Sequence, residues 1–160
     1  MTTNREIGYL WLFKDKANFG ERPTDEAFEG YMKALLICAN GDGTLAPEER
    51  DWAVGHAAAL GASDALVDEL KTYKAVDDIE QIITATHESS DSRRYIIYDA
   101  VRVCSADGAY SDRERAMVIR MGAKLGISEE LVRQIEDICL EEARLREKRL
   151  KLLYPEGPPL

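Results

Sequence analysis

Two stretches of one chain nearly repeat each other: GDGTLAPEER at residues 41–50 and ADGAYSDRER at residues 106–115. Each carries an Asp-Gly pair near its start, Asp42-Gly43 and Asp107-Gly108, and a Glu-Arg pair at its end, Glu49-Arg50 and Glu114-Arg115. Carboxylates set this way around a glycine turn can do two kinds of work. They can satisfy the free amides at the start of a helix and gain from its dipole. They can also offer hard oxygen ligands to calcium, magnesium or manganese in preference to zinc or copper. The phrase alone fits a duplicated turn between helices, a pair of cation sites, or both.

Against the twelve-residue loop of an EF-hand, CANGDGTLAPEE at 38–49 puts Gly43 sixth, Leu45 eighth and Glu49 twelfth, with Asn40 and Asp42 third and fifth. The first ligand, normally Asp, is Cys38. The second copy gives Val103, Ser105, Asp107, Gly108, Tyr110 and Glu114 in the same frame. Calcium needs six to eight oxygen bonds, and the missing first carboxylate argues against an ordinary EF-hand.

Helix capping accounts for much of the motif. Ser111 and Glu114 form an S-x-x-E capping box, and Gly43 and Gly108 can end the preceding helix in a left-handed conformation. Two details are left over. The first copy has Ala46 at the cap position, so Glu49 has no reciprocal partner there, and capping does not require Asp at both 42 and 107. If the two copies pack about a local twofold, Asp42, Glu49, Asp107 and Glu114 approach one another. Four carboxylates that close repel unless a cation or water lies among them. These four are the candidate ligands of a divalent cation, and no residue stands out as catalytic.

The elements that must position them are helices, because Val and Ile recur at helical spacing and alternation is almost absent. Residues 4–17 read as a first helix with Ile7, Leu10, Trp11 and Lys14 near one face. Thr24 caps a helix to about Asn40, and Pro47 opens one that stops at Gly61. Ser63 caps a short helix to about Tyr73, and a further helix covers about 76–87. Asp91 or Ser92 opens a helix ending near Ala106. Ser111 caps one that stops at Gly126, and Ser128 caps the longest, to about Leu153. The tail YPEGPPL at 154–160 cannot be helical and reads as flexible.

The repeat extends beyond the motif. A shift of 65 lays residues 32–70 on 97–135 without a gap, and Asp42, Gly43, Glu49, Arg50, Ala58, Leu60, Gly61, Ser63, Leu66 and Val67 meet identical residues. Met32, Leu35, Leu36 and Ala39 fall on Ile97, Ala100, Val101 and Cys104. That is the i, i+3, i+4, i+7 stripe of a helix with one buried face. Ala53, His56, Ala57 and Leu60 fall on Val118, Met121, Gly122 and Leu125, a second such stripe in which Ala57 and Gly122 suggest close helix contact. The expected fold is all-α, a single helical bundle domain over 1–153 built from two tandem pseudo-twofold helix-loop-helix repeats, about 32–70 and 97–135.

Composition narrows the function. The net charge is −9, and the only dense basic stretch is RLREKRLKLL at 144–153, which argues against DNA or RNA as the main partner. No apolar run is long enough to span a membrane, and the N-terminus lacks a signal-peptide layout, so the expected location is cytoplasmic. Cys38, Cys104 and Cys139 form no CxxC pair and lie in apolar helical patterns, as small buried hydrophobes do. His56 sits on a core stripe and reads as a partly buried, hydrogen-bonded histidine, and His87 as a solvated helix end. No serine or cysteine near either supports a hydrolytic triad.

An all-helical chain of this size, with DG-x4-E-E-R at Asp42–Arg50 and DG-x5-E-R at Asp107–Arg115 each following an apolar helix, resembles the TerB-like family of tellurite-resistance proteins over residues 24–140. The resemblance implies an all-α pair of helical repeats. It also implies a cytoplasmic, non-catalytic role in a bacterial stress system that includes a TerC-type membrane protein and calcium-binding TerD-type proteins as partners. The family's proposed metal ligands correspond to Asp42, Glu49, Asp107 and Glu114, with Glu48 and Asp112 as outer candidates. Arg113 and Pro47 stand where the family's pattern has acids, which lowers the local negative charge. The terminal helices lie outside the matched part. They could support a homodimer or a partner contact, or pack on the same core. Two other readings stay open: a helical adaptor without metal, and an enzyme reducing tellurite with thiols. The second needs an accessible low-pKa cysteine, which the apolar, acid-flanked positions of Cys38 and Cys104 oppose.

Overall fold

Capping residues set the helix boundaries. In the computed structural model, which describes residues 1–160, the chain forms nine helices and no strand. They are α1 (Asn4–Ala17), α2 (Asp25–Ala39), α3 (Pro47–Ala59), α4 (Asp64–Thr72), α5 (Ile79–Ile83), α6 (His87–Ser90), α7 (Arg93–Cys104), α8 (Asp112–Lys124) and α9 (Glu129–Leu153). The side chains of Thr24, Ser63, Ser111 and Ser128 each accept the amide three residues on, as N-caps do. Pro47 opens α3, and no helix follows Leu153.

The helix expected over 76–87 is instead two short ones. Asp78 caps α5 by accepting from Glu80 and Gln81. Thr86 then starts α6, its hydroxyl accepting from the Ser89 amide at 3.1 Å. The Ser89 hydroxyl donates to the Ile83 carbonyl at 2.8 Å. These local side-chain bonds compete with the helical ladder and turn the chain between the two pieces.

Helix α1 covers the expected residues, and the structure settles which of its faces packs inward. Its buried residue is Phe13, with Glu6, Tyr9 and Lys16 partly covered along the same face, while Ile7 and Trp11 are exposed. The face of Ile7, Trp11 and Lys14 points outward because Phe13 has aromatic partners inside: Phe19 stacked at 5.8 Å and Phe28 edge-on at 6.3 Å.

One continuous core joins the helices. Helix α2 packs against α3, α4, α5, α6, α7 and α8, and α7 packs against α2, α3, α8 and α9. Both expected stripes lie inside: Met32, Leu35, Leu36 and Ala39 with Ile97, Ala100, Val101 and Cys104, then Ala53, Ala57 and Leu60 with Val118, Met121 and Leu125. A Cβ on Gly122 would stand 2.9 Å from Val132 Cγ2, so the small residue there does permit a close helix contact. Cys38, Cys104 and Cys139 are free thiols in the core. Only the first half of α9 joins the body. Residues 141–153 are exposed throughout, so this part of the helix projects rather than packing on the core.

The turns after α3 and α8 form the same hydrogen bonds, Ala62 N to Ala57 O and Ile127 N to Gly122 O, with Gly61 and Gly126 at φ +89° and +76°. Their surroundings differ. A Cβ on Gly61 would meet the Tyr9 ring at 2.3 Å, whereas none meets anything within 4 Å at Gly126. Gly126→Ala should therefore cost about 1 kcal/mol of backbone strain. Gly61→Ala should cost that plus about 1–3 kcal/mol for the clash with α1. Urea unfolding of the two variants beside the parent chain measures the difference.

Candidate functional site

The Asp-Gly corners lie at the ends of the most buried helices, α2 and α7. Gly43 N bonds Asn40 O at 2.8 Å and Gly108 N bonds Ser105 O at 3.0 Å, with positive φ at both glycines. Asp42 Oδ1 accepts from the Thr44 amide at 3.0 Å, and Asp107 Oδ1 from the Ala109 amide at 3.1 Å. Aspartate at both positions thus has a local reason that the sequence did not reveal: each side chain closes its own turn.

The glutamates also hold the ends of their helices. Glu114 N bonds Ser111 Oγ at 3.1 Å, and the Ser111 hydroxyl donates to Glu114 Oε1 at 3.2 Å. In the first copy Glu49 Oε2 accepts from the Ala46 amide at 3.3 Å. Half of the capping box therefore survives the loss of the serine, which corrects the expectation that Glu49 has no capping partner.

The structure brings the two corners together. Gly41 lies against α8, where an added Cβ would stand 2.9 Å from Met117 Cγ, and Arg120 Nη2 donates to Gly41 O at 3.0 Å. Glu49 is buried. Burial pushes its carboxyl up to about 7, and Glu114, Asp107 and Asp42 push the same way against the Ala46 hydrogen bond. Burial raises Glu114 as well, with Asp107 and Asp42 adding to it and the Ser111 hydrogen bond opposing. The four candidate acids from both copies thus share one field. Glu114 Oε2 is buried and has no hydrogen-bond partner.

Several features limit what this cluster can hold. Asp107 is exposed and Asp42 half-buried, and Arg113 Nε lies 3.5 Å from Asp42 Oδ2. Glu48 and Asp112 face solvent. No three His, Cys, Asp or Glu side chains converge closely enough to hold a metal ion. The first-position residues of the EF-hand frame, Cys38 and Val103, are fully buried and offer no ligand. The thiols sit in apolar surroundings, where burial pushes Cys38 and Cys139 up to about 12 and raises Cys104.

A second polar cluster was missed. Asp99 is 1% exposed, accepts from the Tyr31 hydroxyl at 2.6 Å on Oδ2 and from Arg102 Nη1 at 3.3 Å on Oδ1. His56 Nε2 lies 3.8 Å from Asp99 Oδ2, and its ring stacks on Trp52 at 4.7 Å. The His56 ring forms no hydrogen bond, contrary to expectation. Burial, with Lys16 and Arg102 nearby, drives it down to about 3, so it is neutral at physiological pH. The sequence did hold a signal: Asp99 interrupts the apolar positions Ile96 and Val103 on one face of α7.

All-α architecture, a single core and two facing acidic corners define a helical-bundle protein with a duplicated Asp-Gly turn. No family model and no curated protein matches the chain. A solved structure does: that of a tellurite resistance protein from Nostoc punctiforme, at a TM-score of 0.95 and 39% identity, covering 100% of both chains. The chain belongs to this TerB-like family of tellurite-resistance proteins.

Because its carboxyl is raised in the folded state, Glu49 contributes stability that is complete below the ordinary carboxylate range and is lost as pH rises through about 7. Glu49→Gln keeps an acceptor for the Ala46 amide and removes the charge. Its stability relative to the parent chain should rise from pH 5 to about pH 7 and level off by pH 8, as read from urea midpoints at each pH. An unchanged difference across that range would show that Glu49 does not carry the raised pKa.

Proposed function

We propose that this chain is a non-catalytic stress-response protein of tellurite resistance that binds a divalent cation between its two Asp-Gly corners. Asp42, Glu49, Asp107 and Glu114 would hold the ion, which would supply the positive charge that their mutual repulsion calls for. The observation that carries this reading is that Glu114, Asp107 and Asp42 all raise the carboxyl of buried Glu49, beside a carboxylate oxygen with no partner; the four acids do not yet stand close enough to chelate, so an ion would have to draw them in. All donors are hard oxygens, which suits calcium, magnesium or manganese.

We infer further that the two units are pseudo-twofold repeats with this corner near their axis. Supporting this, the packing of α2 on α3, α3 on α4 and α3 on α7 has counterparts in α7 on α8, α8 on α9 and α2 on α8. In this reading the ion ties one repeat to the other and sets their relative angle. No helix is long and apolar enough to cross a membrane, which is compatible with a cytoplasmic protein working in a complex with other tellurite-resistance proteins, a TerC-type membrane partner among them, or as a homodimer. The raised thiols support a role without thiol chemistry.

A metal-independent adaptor is the second reading. It is favoured by the local hydrogen bond that each of the four acids already accepts and by the Arg113 guanidinium beside Asp42.

Isothermal titration with Ca²⁺, Mg²⁺ and Mn²⁺ separates the two. The cation reading expects saturable binding that is stronger at pH 8 than at pH 6, because the ion competes with the proton on Glu49. Binding should vanish in Asp42→Ala combined with Asp107→Ala. Flat traces at millimolar metal would establish the adaptor.

A further inference from the structure

A cavity of the molecule lies away from the acidic corner. It has a volume of about 700 Å³ and is bounded by α1, the loop after it, α2 and the α6–α7 region. That size is within the range of small-molecule sites. Its walls include Phe13, Phe19, Phe28 and Leu60, and its polar groups include Lys16, Tyr31, His56, Tyr95 and Asp99. Apolar walls with a few converging polar groups are what a small organic ligand needs.

The polar groups differ in what they have left to give. Asp99 accepts from Tyr31 on one oxygen and from Arg102 on the other, and Lys16 and Arg102 offset its charge, which leaves it less to offer a ligand amine. The Tyr95 hydroxyl donates to the Lys16 carbonyl at 3.4 Å. Arg22 at the rim is held by the Gly61 carbonyl at 2.9 Å and by Asp25 at 2.7 Å. Two groups remain. The Lys16 ammonium, half-buried and electrostatically coupled to Asp99 and Arg102, forms no hydrogen bond or ion pair. The neutral His56 ring lies nearby with its nitrogens free of hydrogen bonds. Asp99 offsets its charge from a distance, but a half-buried ammonium that makes no direct bond keeps its donors free, and a ligand oxygen would satisfy them. The acids that line the mouth, Glu21, Glu88 and Asp91, are all exposed, where solvent and salt screen them.

The free groups are thus a cation and an imidazole able to donate, while the walls are aromatic and already arranged in stacked and edge-on pairs. We propose that this cavity binds a small aromatic monocarboxylate, its ring among Phe13, Phe19 and Phe28 and its carboxylate on the Lys16 ammonium and the His56 ring.

Calorimetric titration of the full chain with 2-naphthoate, 2-naphthalenemethanol and 2-naphthylmethylamine tests the proposal. The carboxylate should bind saturably in the submillimolar range, about tenfold or more tighter than either the alcohol or the amine. Lys16→Met, which keeps much of the stem, should remove that preference. Carboxylate binding no better than alcohol or amine binding in the parent chain would overturn the proposal, even if the variant failed to fold. So would absence of heat at about 5 mM 2-naphthoate, or full carboxylate preference in Lys16→Met.

Discussion

Helix α2 has no face to give to water near its end. Six consecutive residues, Ala34 to Ala39, are buried, so neighbours must cover that turn and a half from every side. The cover comes from α3, α7 and α8 among others. This requirement places the corner that follows α2 against α8, with Gly41 among the Met117 and Met121 side chains. It also brings α3 onto α7, so Glu49 at the start of α3 comes within the field of Asp107 and Glu114. The nearness of the four acids is thus a consequence of burying an apolar helix end. It needs no attraction among the acids, and it holds against their repulsion.

Three buried carboxylates in one small protein meet the cost of desolvation in two ways. Asp99 is surrounded by donors and a cation: Tyr31 and Arg102 bond it, and Lys16 adds a favourable charge. Glu49 has one amide and three like charges, and the response is a shift of its proton equilibrium to about 7. Glu136 follows the first pattern, with Arg115 Nε at 2.8 Å and the Tyr110 hydroxyl at 3.0 Å. Only the corner between the two Asp-Gly turns is left short of positive charge, which sets it apart chemically from the rest of the interior.

Much of the fold was legible because capping signals and apolar stripes act locally. Thr24, Ser63, Ser111 and Ser128 mark helix starts through bonds that reach only three residues, and Pro47 marks one through its fixed φ. The region 76–87 was not legible, because the Ser89 bond to Ile83 and the Thr86 cap compete with a plausible helix of equal length. The extent of α1 was legible but its inward face was not, because Phe13 and Ile7 both offer an apolar face and only the positions of Phe19 and Phe28 decide between them. The four acids could be named from their spacing, but the Asp42 and Asp107 turns and the Glu49 bond to Ala46 depend on backbone geometry. The Asp99 cluster joins α1, α2, α3 and α7, residues far apart in the chain, and no periodicity reports such a meeting.

The local bonds of the four acids do not by themselves decide between a turn and a cation site. Each known bond occupies one carboxylate oxygen: Asp42 Oδ1, Glu49 Oε2, Asp107 Oδ1 and Glu114 Oε1. A carboxylate offers about four lone-pair directions over two oxygens, so a turn or cap leaves most of its capacity free. The same bonds fix each side chain's rotamer before any ion arrives, which reduces the entropy that binding must cost. Arg113 works in the opposite direction by lending Asp42 a charge from the facing helix. The balance therefore rests on whether a divalent ion at this corner outweighs one guanidinium and the proton on Glu49. Both of those compensate the acids incompletely, since Arg113 is 74% exposed and Glu49 still titrates near 7.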